Sequence, residues 1–506
     1  MMFLKQLSSV FSLGFFLLFF SCQSAEQENN APNVLMISID DLNDWIGVLK
    51  ANPNVKTPNI DRLAKEGLLF TNAHCQAPIC GPSRASVLSG LRPSSTGIYG
   101  QIKDHNLRKG SALMEKVRFL PQYFNDHGYK TIGVGKIFHN HAPDGVFEVS
   151  GGRKSGFGPS PKKRMNWDEK GTSTDWGAFP DQDSLMYDYD YAQWAKKQLH
   201  KEHKRPFFMA VGFIRPHVPW HTTKQWFDLY PLDQLTLPSY LPNDWDDLPE
   251  IAKQIAFKGM MPTTDWAIES GQWKKIVQAY LACISFVDHQ VGVVLDALES
   301  SVYKNNTIVV LWSDHGYELG EKGSFGKQTI WSESTRVPLI FKSPKIKQQR
   351  SIHQAVELLD VYPTLLELAG LPANPSNEGK SLVPLLDQES DSTAVAITTY
   401  GKNNHSMINM RYRYIYYENG AEELYDLQND PGERYNISNV IALDSLKKAM
   451  RQNLPKTNEE WKEHSYHTIN DYFTRTSNQS KKEENEIYNF PTEDYHLPDI
   501  DTDHSK

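Results

Sequence analysis

A cysteine and an arginine four residues apart stand in the run CGPSR, where Cys80 and Arg84 flank Pro82. Proline is favoured in the first turn of a helix, so this run predicts a helix that begins near Cys80. A helix N-terminus carries unpaired N–H groups and a partial positive charge, and both favour an anion. Cys80 would then lie at an anion-binding helix end. The simpler alternative is a buried cysteine beside the start of a helix.

Three aspartates follow two apolar runs of strand length. Asp40 and Asp41 come directly after residues 33 to 39 (NVLMISI), and Asp314 follows residues 307 to 312 (TIVVLW) closely. Carboxylates are the hard oxygen ligands that Ca²⁺ takes, and adjacent carboxylates repel each other unless a cation lies between them or one is protonated. The aspartates therefore indicate a divalent cation site. Alternatively, one of the first two caps a helix and the other is solvated.

The elements that would position these residues alternate between strands and helices. Helical patterns occur at residues 273 to 300 and 358 to 369. Strands that are apolar throughout and alternate with helices predict a mainly parallel sheet covered on both faces. Ligands bind outside the carboxyl ends of such strands, so their ends predict one active site. Two more apolar runs also end near ionisable side chains: 131 to 135 before Lys136, and 207 to 213 before Arg215 and His217.

The run from Cys80 to Arg84 resembles the C-x-P-S-R signature of the type I, formylglycine-dependent sulfatases. Three details are similar to the iduronate-2-sulfatase branch: residues 215 to 220 (RPHVPW), residues 286 to 288 (FVD), and the pair Asp314-His315. Further segments similar to the family cover nearly the whole chain after the N-terminal region: 33 to 41 (NVLMISIDD), 57 to 64 (TPNIDRLA), 135 to 139 (GKIFH), 313 to 316 (SDHG), 422 to 427 (EELYDL) and 429 to 433 (NDPGE).

This resemblance implies a modified residue and a metal site. A formylglycine-generating maturation enzyme would convert Cys80 to formylglycine, and the hydrated aldehyde would be the nucleophile. Because imidazole is an unusual ligand for Ca²⁺, His315 would alternatively hydrogen-bond the sulfate. The implied ligands of one Ca²⁺ ion are Asp40, Asp41, Asp314, His315 and an oxygen on the modified Cys80.

The resemblance also implies a covalent mechanism. Arg84, Lys136 and Lys327 match the positive set of the family, which stabilises the charge on the sulfate. One hydroxyl of the hydrated aldehyde would attack sulfur, and the sugar alcohol would leave with a proton from His217 or Lys327. His139 would then take the proton of the second hydroxyl, so that sulfate is expelled and the aldehyde returns.

The overall composition excludes other classes of protein. The 506 residues carry a formal net charge of -8, which argues against a nucleic-acid partner. Hydrophobic residues make up 39% of the chain, which is enough for a substantial core. The 4 cysteines are too few for a disulfide scaffold. Local positive charge must therefore hold any anionic substrate, since the field of the whole protein is negative.

The N-terminus is predicted to be an export signal. Lys5 precedes an uncharged apolar run over residues 10 to 20, and Ser21 and Cys22 follow it. We expect a signal peptide over residues 1 to 22, with lipidation at Cys22 or ordinary cleavage as alternatives, and a polar tether over 23 to 31. The protein would be exported to the periplasm or the outer membrane surface. A membrane would be contacted only through the lipid, because no later segment is expected to be long and apolar enough to span one.

The fold expected from the resemblance is the α/β alkaline-phosphatase-like fold, with a large mixed, mainly parallel sheet flanked by helices. The catalytic domain would cover residues 32 to 375. A small C-terminal domain over 376 to 506 would contain an antiparallel sheet, because short strands are predicted after residue 386, at 394 to 399, 412 to 417 and 423 to 427, with turn signals between them. The polar residues 470 to 506 are either a surface wrap or disordered.

The implied substrate is a sulfated carbohydrate that contains uronic acids, either a 2-O-sulfated glycosaminoglycan or an ulvan-type polymer. Two alternatives are a phosphate or phosphonate monoester hydrolase of the same fold, and a non-catalytic sulfated-glycan-binding protein if Cys80 stays a thiol. The loop 151 to 164 (GGRKSGFGPSPKKR) would be solvated or would contact an anionic substrate. Trp45, Trp176 and Trp220 would stack on sugar rings or belong to the core, and we expect His217 and Trp220 on the substrate side.

Overall fold

The computed structural model describes residues 31–109, 111–346, 349–386, 390–466, 470, 472 and 473. Cys22, the signal expected over 1 to 22, the tether up to residue 30 and the tail beyond residue 473 lie outside the described residues. The expectations about these segments stay predictions.

Strands and helices alternate along the described residues. The helices are α1 (Pro58–Lys65), α2 (Cys80–Ser89), α3 (Pro93–Thr96), α4 (Ala112–Glu115), α5 (Leu120–Asp126), α6 (Tyr187–Leu199), α7 (Lys224–Phe227), α8 (Glu250–Ala256), α9 (Thr264–Glu269), α10 (Trp273–Glu299), α11 (Ser332–Thr335), α12 (Val361–Ala369) and α13 (Asp444–Arg451). The strands are β1 (Asn33–Asp40), β2 (Leu68–His74), β3 (Gln101–Ile102), β4 (Lys130–Gly135), β5 (Val149–Ser150), β6 (Trp176–Ala178), β7 (Phe207–Pro216), β8 (Trp220–Thr222), β9 (Thr307–Ser313), β10 (Glu318–Leu319), β11 (Phe325–Gly326), β12 (Arg336–Lys342), β13 (Arg350–Ile352), β14 (Val356–Glu357), β15 (Ala396–Thr399), β16 (His405–Ile408), β17 (Tyr412–Tyr416), β18 (Glu422–Asp426) and β19 (Ser465–Tyr466).

The largest sheet in the described part of the chain has the strand order β13-β2-β12-β9-β1-β7-β4-β5, and β14 also pairs with β2. The strands from β9 to β5 in this order are parallel to one another. Strand β12 runs antiparallel to both of its neighbours, β9 and β2. The predicted mixed, mainly parallel sheet is therefore confirmed.

Strand β1 lies in the middle of this sheet and is buried on both faces. Leu35, Ile37 and Ile39 belong to one hydrophobic cluster, whereas Val34 and Met36 belong to the cluster on the opposite face. Helix α10 contributes to the first cluster, and α2 and α12 contribute to the second. Alternate side chains of a strand point to opposite faces, so a strand covered on both sides must be apolar throughout. This explains the uninterrupted apolar run of the sequence.

Helix α10 corrects one expectation about membranes. By length and composition it could cross a membrane, although no segment after the signal was expected to do so. Most of the helix is buried inside the protein, where it packs against α6 and β7. A long apolar helix is equally suited to the core of a large domain, and α10 lies in the core here.

A second sheet lies near the C-terminus of the described chain, with the strand order β15-β16-β17-β18 and antiparallel pairing throughout. Three of these strands were predicted from the sequence within one or two residues, whereas β16 was not. The described residues from Ala31 onward form one compact unit. The domain boundary near residue 375 stays a prediction.

The four central parallel strands end at the same edge of the sheet. In spatial order β9, β1, β7 and β4 lie side by side, and their ends deliver Asp314, Asp40 with Asp41, His217 and Lys136. Gly212 lets β7 approach β4 closely there, because a Cβ at this position would lie 2.1 Å from the carbonyl oxygen of Lys136. The prediction that these runs meet at one edge is confirmed.

Candidate active site

Cys80 is the first residue of α2 and is buried. Its Sγ lies 3.1 Å from Lys327 Nζ and 3.2 Å from His315 Nε2. Burial raises the pKa of the thiol, although Lys136 and Lys327 oppose this effect. The predicted helix start is confirmed, and it places Cys80 beside the ends of β1 and β9.

The three aspartates are held by three buried cations. Arg84 donates from Nε to Asp314 Oδ2 at 2.7 Å, and its Nη2 lies 3.4 Å from Asp40 Oδ1. Lys136 forms an ion pair with Asp40, and Lys327 Nζ lies 2.6 Å from Asp41 Oδ1. The structure therefore brings Arg84, Lys136 and Lys327 into direct contact with the aspartates that are expected to bind the metal ion. Arg84 also donates to the backbone carbonyl oxygens of residues 136 and 137 and to Ser38 Oγ.

The two adjacent aspartates are in different electrostatic environments. Burial alone would raise the pKa of Asp40, but Lys136, His217 and Arg84 hold it well below its usual value. Burial raises the pKa of Asp41 to about 7, and the charge of Asp40 adds to the shift while Lys327 opposes it. A second negative charge at Asp41 therefore needs another cation nearby.

The donor set fits a hard divalent cation. Asp41 Oδ2 is buried and has no hydrogen-bond partner among the described residues. Carboxylate oxygens suit Ca²⁺, and three of them converge here. When bound, Ca²⁺ would supply positive charge to the carboxylates and to an anionic substrate. Two overlapping groups of buried residues each bring their ligand atoms within 4.8 Å of one another: Asp40, Asp41, Cys80 and His217, and Asp40, Cys80, Asp314 and His315.

His315 presents a nitrogen lone pair to this cluster. Its Nδ1 lies 2.9 Å from the carbonyl oxygen of Gly316, and a carbonyl can only accept, so Nδ1 carries the proton. Burial lowers the pKa of His315, which keeps the ring neutral and leaves Nε2 as an acceptor. Nε2 lies 3.3 Å from Asp41 Oδ1. This orientation favours the role of a metal ligand over donation of a hydrogen bond to sulfate.

His217 is held from two sides at the end of β7. Its Nδ1 donates to the carbonyl of Val218, and its Nε2 lies 4.0 Å from Asp41 Oδ2. The ring of Phe157 stacks on the imidazole with a centroid distance of 4.1 Å and an interplanar angle of 14°. Burial, with help from Lys327, lowers the pKa of His217 well below its usual value. The fixed tautomer leaves Nε2 available for proton transfer.

His139 follows β4, and its backbone N–H donates to Asp104 Oδ1 at 3.3 Å. Its Nδ1 is buried and has no hydrogen-bond partner among the described residues. Burial and the charges of Lys136 and Arg153 lower the pKa of His139 well below its usual value. A neutral imidazole with a free nitrogen is a competent proton acceptor.

A pocket opens above these residues, and we call it the substrate pocket. Its lining includes Lys327, His139 and His217 from the cluster just described, and we call these three residues the floor. Phe157, Lys258 and the segment 171 to 174 (GTST) also line the pocket, and we call them the wall. The sequence analysis names the loop that carries Phe157 but not Lys258 or residues 171 to 174, because loops carry no periodic pattern and these residues belong to no recognisable motif.

The three tryptophans that were considered as sugar platforms belong to the core. Trp45, Trp176 and Trp220 are 5%, 1% and 0% exposed. Trp220 packs edge to face against Tyr280 and Tyr317, so the expectation that it faces the substrate is wrong. Its indole covers apolar area in the cluster that contains α10.

The loop 151 to 164 combines both of the expected alternatives. Phe157 lines the substrate pocket, whereas Lys162, Lys163 and Arg164 are exposed. Arg153 is buried and donates to the carbonyl oxygens of residues 154 and 156. The part of this loop that reaches the pocket is thus aromatic, and the basic end of the loop is solvated.

The mainly parallel sheet, with carboxylates, lysines and a helix N-terminus gathered at one edge, has the alkaline-phosphatase-like α/β fold. The fold is similar to that of a phosphonate monoester hydrolase of Agrobacterium radiobacter, with a TM-score of 0.67 and 19% identity over 84% of this chain and 94% of that one. The fold alone therefore does not choose between sulfate and phosphorus esters.

Sequence comparison distinguishes between hydrolases of sulfate esters and hydrolases of phosphorus esters. The family model "Sulfatase" matches residues 32–371, and the model "N-sulphoglucosamine sulphohydrolase, C-terminal" matches residues 320–460. A "Sulfatase" of Formosa agariphila is 50% identical over 464 residues, which cover 89% of this chain and 92% of that protein. Iduronate 2-sulfatase of Mus musculus is 33% identical over 430 residues, covering 73% of this chain and 75% of that protein. The chain belongs to the sulfatase family, and it is a sulfuric ester hydrolase.

Proposed function

We propose that this sulfatase removes sulfate esters from uronate-containing polysaccharides or oligosaccharides, with a formylglycine formed at Cys80 and a Ca²⁺ ion. The observation that carries the proposal is the position of Cys80. It lies at the N-terminus of α2, between the cluster of aspartates and a pocket whose floor carries Lys327. The similarity to mouse iduronate 2-sulfatase supports a uronate substrate.

In this proposal the formylglycine supplies the nucleophile, because a hydrated aldehyde offers one hydroxyl for attack on sulfur and a second for later release of sulfate. The N–H groups at the start of α2 favour the negative charge of the sulfate. Asp40, Asp41, Asp314 and His315 would hold Ca²⁺. The rest of the chemistry depends on the protein's own cations and imidazoles.

Two lysines are positioned to stabilise charge on the sulfate. Burial alone would lower the pKa of Lys327, but Asp41 and Cys80 raise it well above its usual value, so the ammonium keeps its proton. Lys136 lies under the ring of Phe157, with Nζ 5.2 Å from the ring centroid. Buried, preorganised cations stabilise developing negative charge more effectively than solvated ones.

Proton transfer falls to the groups on the pocket floor. The negative charge of a bound sulfate would raise the pKa of His217, so that Nε2 takes up a proton, and His217 or Lys327 would then protonate the leaving sugar oxygen. His139 would accept a proton during sulfate release. Both imidazoles line the substrate pocket, and His217 is fixed by Phe157 and by the carbonyl of Val218. An alkoxide is a poor leaving group, so a fixed proton donor matters most for sugar sulfates.

A desulfation screen tests this function. The panel comprises 2-O-sulfated uronate disaccharides, ulvan oligosaccharides and neutral hexose sulfates, with released sulfate and the product linkage as readouts. We expect release from uronate-bearing substrates and none from the Cys80→Ala variant. Activity confined to neutral hexose sulfates would contradict the uronate assignment, and an equally active Cys80→Ala variant would contradict the nucleophile.

We also propose that the enzyme is exported and attached to the membrane through a lipid on Cys22. The apolar run before Ser21-Cys22 supports this proposal. Fractionation of cells that produce the wild type and Cys22→Ala tests it. The wild type is expected in the membrane fraction and the variant in the soluble exported fraction, whereas equal distribution would contradict lipidation.

A further inference from the structure

Lys258 is a second lysine on the wall of the substrate pocket, separate from Lys327 on its floor. It lies two residues beyond the end of α8 and is 6% exposed. Its side chain passes over Gly326, where an added Cβ would lie 3.1 Å from Lys258 Cδ and 3.6 Å from Nζ. Gly326 directly precedes Lys327. Because Gly326 has no side chain, the side chain of Lys258 can lie beside Lys327 on the pocket floor.

The charge of Lys258 is balanced from behind the pocket wall. Nζ lies 3.2 Å from Glu318 Oε2, and Glu318 Oε1 accepts a hydrogen bond from Thr329 Oγ1. Glu318 is 1% exposed and does not line the pocket. An ammonium has three N–H donors, so a contact with Glu318 leaves donors for a group that enters from the pocket side.

The polar side chains that line the pocket suit a substrate with two anionic groups, although Asp41 and Glu318 already pair with its two lysines. Among the described lining residues there are two lysines and no aspartate or glutamate. Lys327 is already engaged by Asp41 and lies 3.1 Å from Cys80 Sγ, where the sulfate reacts. A second buried cation has no part in that chemistry, but it matches a second negative charge on the same molecule.

We infer that Lys258 forms a subsite for the carboxylate of the sulfated uronate ring. The pocket then binds the sulfate and the carboxylate of the same sugar at the same time. This inference rests on the proposed function, and it assigns specificity to a residue outside the reacting groups. Lys327 and Cys80 mark the sulfate end of the pocket, and Lys258 marks the carboxylate end.

Paired substrates test the subsite. The probes are a 2-O-sulfated unsaturated uronate disaccharide and its carboxyl-reduced counterpart, in which the carboxylate is replaced by a hydroxymethyl group. For Lys258→Met we expect the ratio of the two kcat/KM values to fall roughly tenfold to a hundredfold, the worth of a charge-assisted hydrogen bond. Lys258→Arg is expected to retain most of the ratio. Lys224→Met is the matched control, because Lys224 pairs with Asp228 at the surface.

Loss of Lys258 alone would leave Glu318 buried without its partner, so the double variant Lys258→Met/Glu318→Gln removes both charges. It is expected to show the same fall in the ratio. Glu318→Gln alone is expected to raise the ratio, because Lys258 then keeps its full charge for the substrate. A proportional loss on both disaccharides in the double variant would overturn the inference. A disulfated neutral sugar is a third probe: if Lys258→Met lowers kcat/KM for this probe alone, the subsite binds a second sulfate and the inference is overturned.

Binding separates this inference from the proposed function. Calorimetry with the Cys80→Ala variant measures the affinity for both disaccharides without turnover. Carboxylate-dependent binding that needs Lys258 supports the subsite even if the wild-type enzyme fails to desulfate the uronate disaccharide, a failure that would contradict only the proposed function. Equal affinity for the two disaccharides would overturn the subsite, whatever the turnover.

Discussion

The ring of Phe157 lies flat on the imidazole of His217, with 4.1 Å between the centroids. Phe157 comes from a loop rich in glycine and basic residues, whereas His217 follows a central strand of the sheet. The contact fixes the plane of the imidazole, and the hydrogen bond from Nδ1 to Val218 fixes its tautomer. The loop 151 to 164, which carries no motif, thus positions His217, which belongs to the motif of residues 215 to 220.

The Phe157→Ala variant should lose up to about 100-fold in kcat on a sugar sulfate, because His217 loses the surface that orients it. Phe157→Tyr keeps the aromatic face and should retain most of the activity. Steady-state kinetics of both variants, with a thermal unfolding scan of each, provide the measurement. A folded Phe157→Ala variant with unchanged kcat would show that the stacking does not position His217.

His217→Ala should depress turnover of sugar sulfates by about 10²- to 10⁴-fold, the usual cost of losing a proton-transfer group. An aryl sulfate should suffer much less, because a phenolate leaves without much help from a proton. The comparison uses one enzyme preparation and both substrates. Equal losses on the two substrates would remove His217 from the leaving-group role and leave Lys327 as the donor.

Cys80 should be converted to formylglycine in cells that contain the maturation enzyme. Mass spectrometry of the peptide that carries residues 80 to 84 should show replacement of the thiol by an aldehyde or its hydrate. Cys75 and Cys283 are buried cysteines outside the signature and serve as internal controls that should stay unmodified. An unmodified Cys80 in fully active protein would contradict the covalent mechanism.

Removal of the divalent cation should abolish activity, and added Ca²⁺ should restore it. Asp40→Asn, Asp41→Asn and Asp314→Asn should each lower bound metal and activity together, because these carboxylates converge and repel one another without a cation. Asp296→Asn is a suitable control, since Asp296 pairs with Arg62 at the surface. Full activity in metal-free protein would exclude the proposed role of the ion.

Asp104 should make the stability of the protein depend on pH. Burial raises the pKa of Asp104 to about 7 in the folded protein, above its value in the unfolded chain. The folded state therefore binds more protons between these two values, and the stabilisation associated with the protonated carboxyl is present at low pH and lost as pH rises towards 7.

Urea unfolding at several pH values, with the wild type and Asp104→Asn side by side, measures this effect. The free energy of unfolding of the wild type relative to the variant should fall with rising pH by at most about 1.4 kcal/mol per pH unit. The decline should level off once the pH has risen past about 7, because Asp104 is then ionised in both states. A difference that stays constant from acid to neutral pH would contradict the raised pKa.

The sheet and the ends of its strands could be predicted because they depend on local patterns. The apolar runs that became β1, β7 and β9 need no partner to be recognised, since a strand buried on both faces must be apolar throughout. Short C-terminal strands were also recognisable, but β16 was missed because His405 and Ser406 interrupt its apolar pattern. The expectation for Trp220 is wrong because an aromatic residue within a motif suits a core as well as a binding surface.

The sequence by itself determined that aspartates, a histidine and a lysine follow parallel strands and that Cys80 begins a helix, because strand period, proline position and the signature residues are all local features. Only the tertiary structure determines which charged side chains contact each other and which residues surround them. Arg84 reaches Asp314 across 230 positions of the chain, and Lys258 reaches Glu318 across 60. Such contacts depend on how separate elements pack, and no spacing in the sequence records that packing.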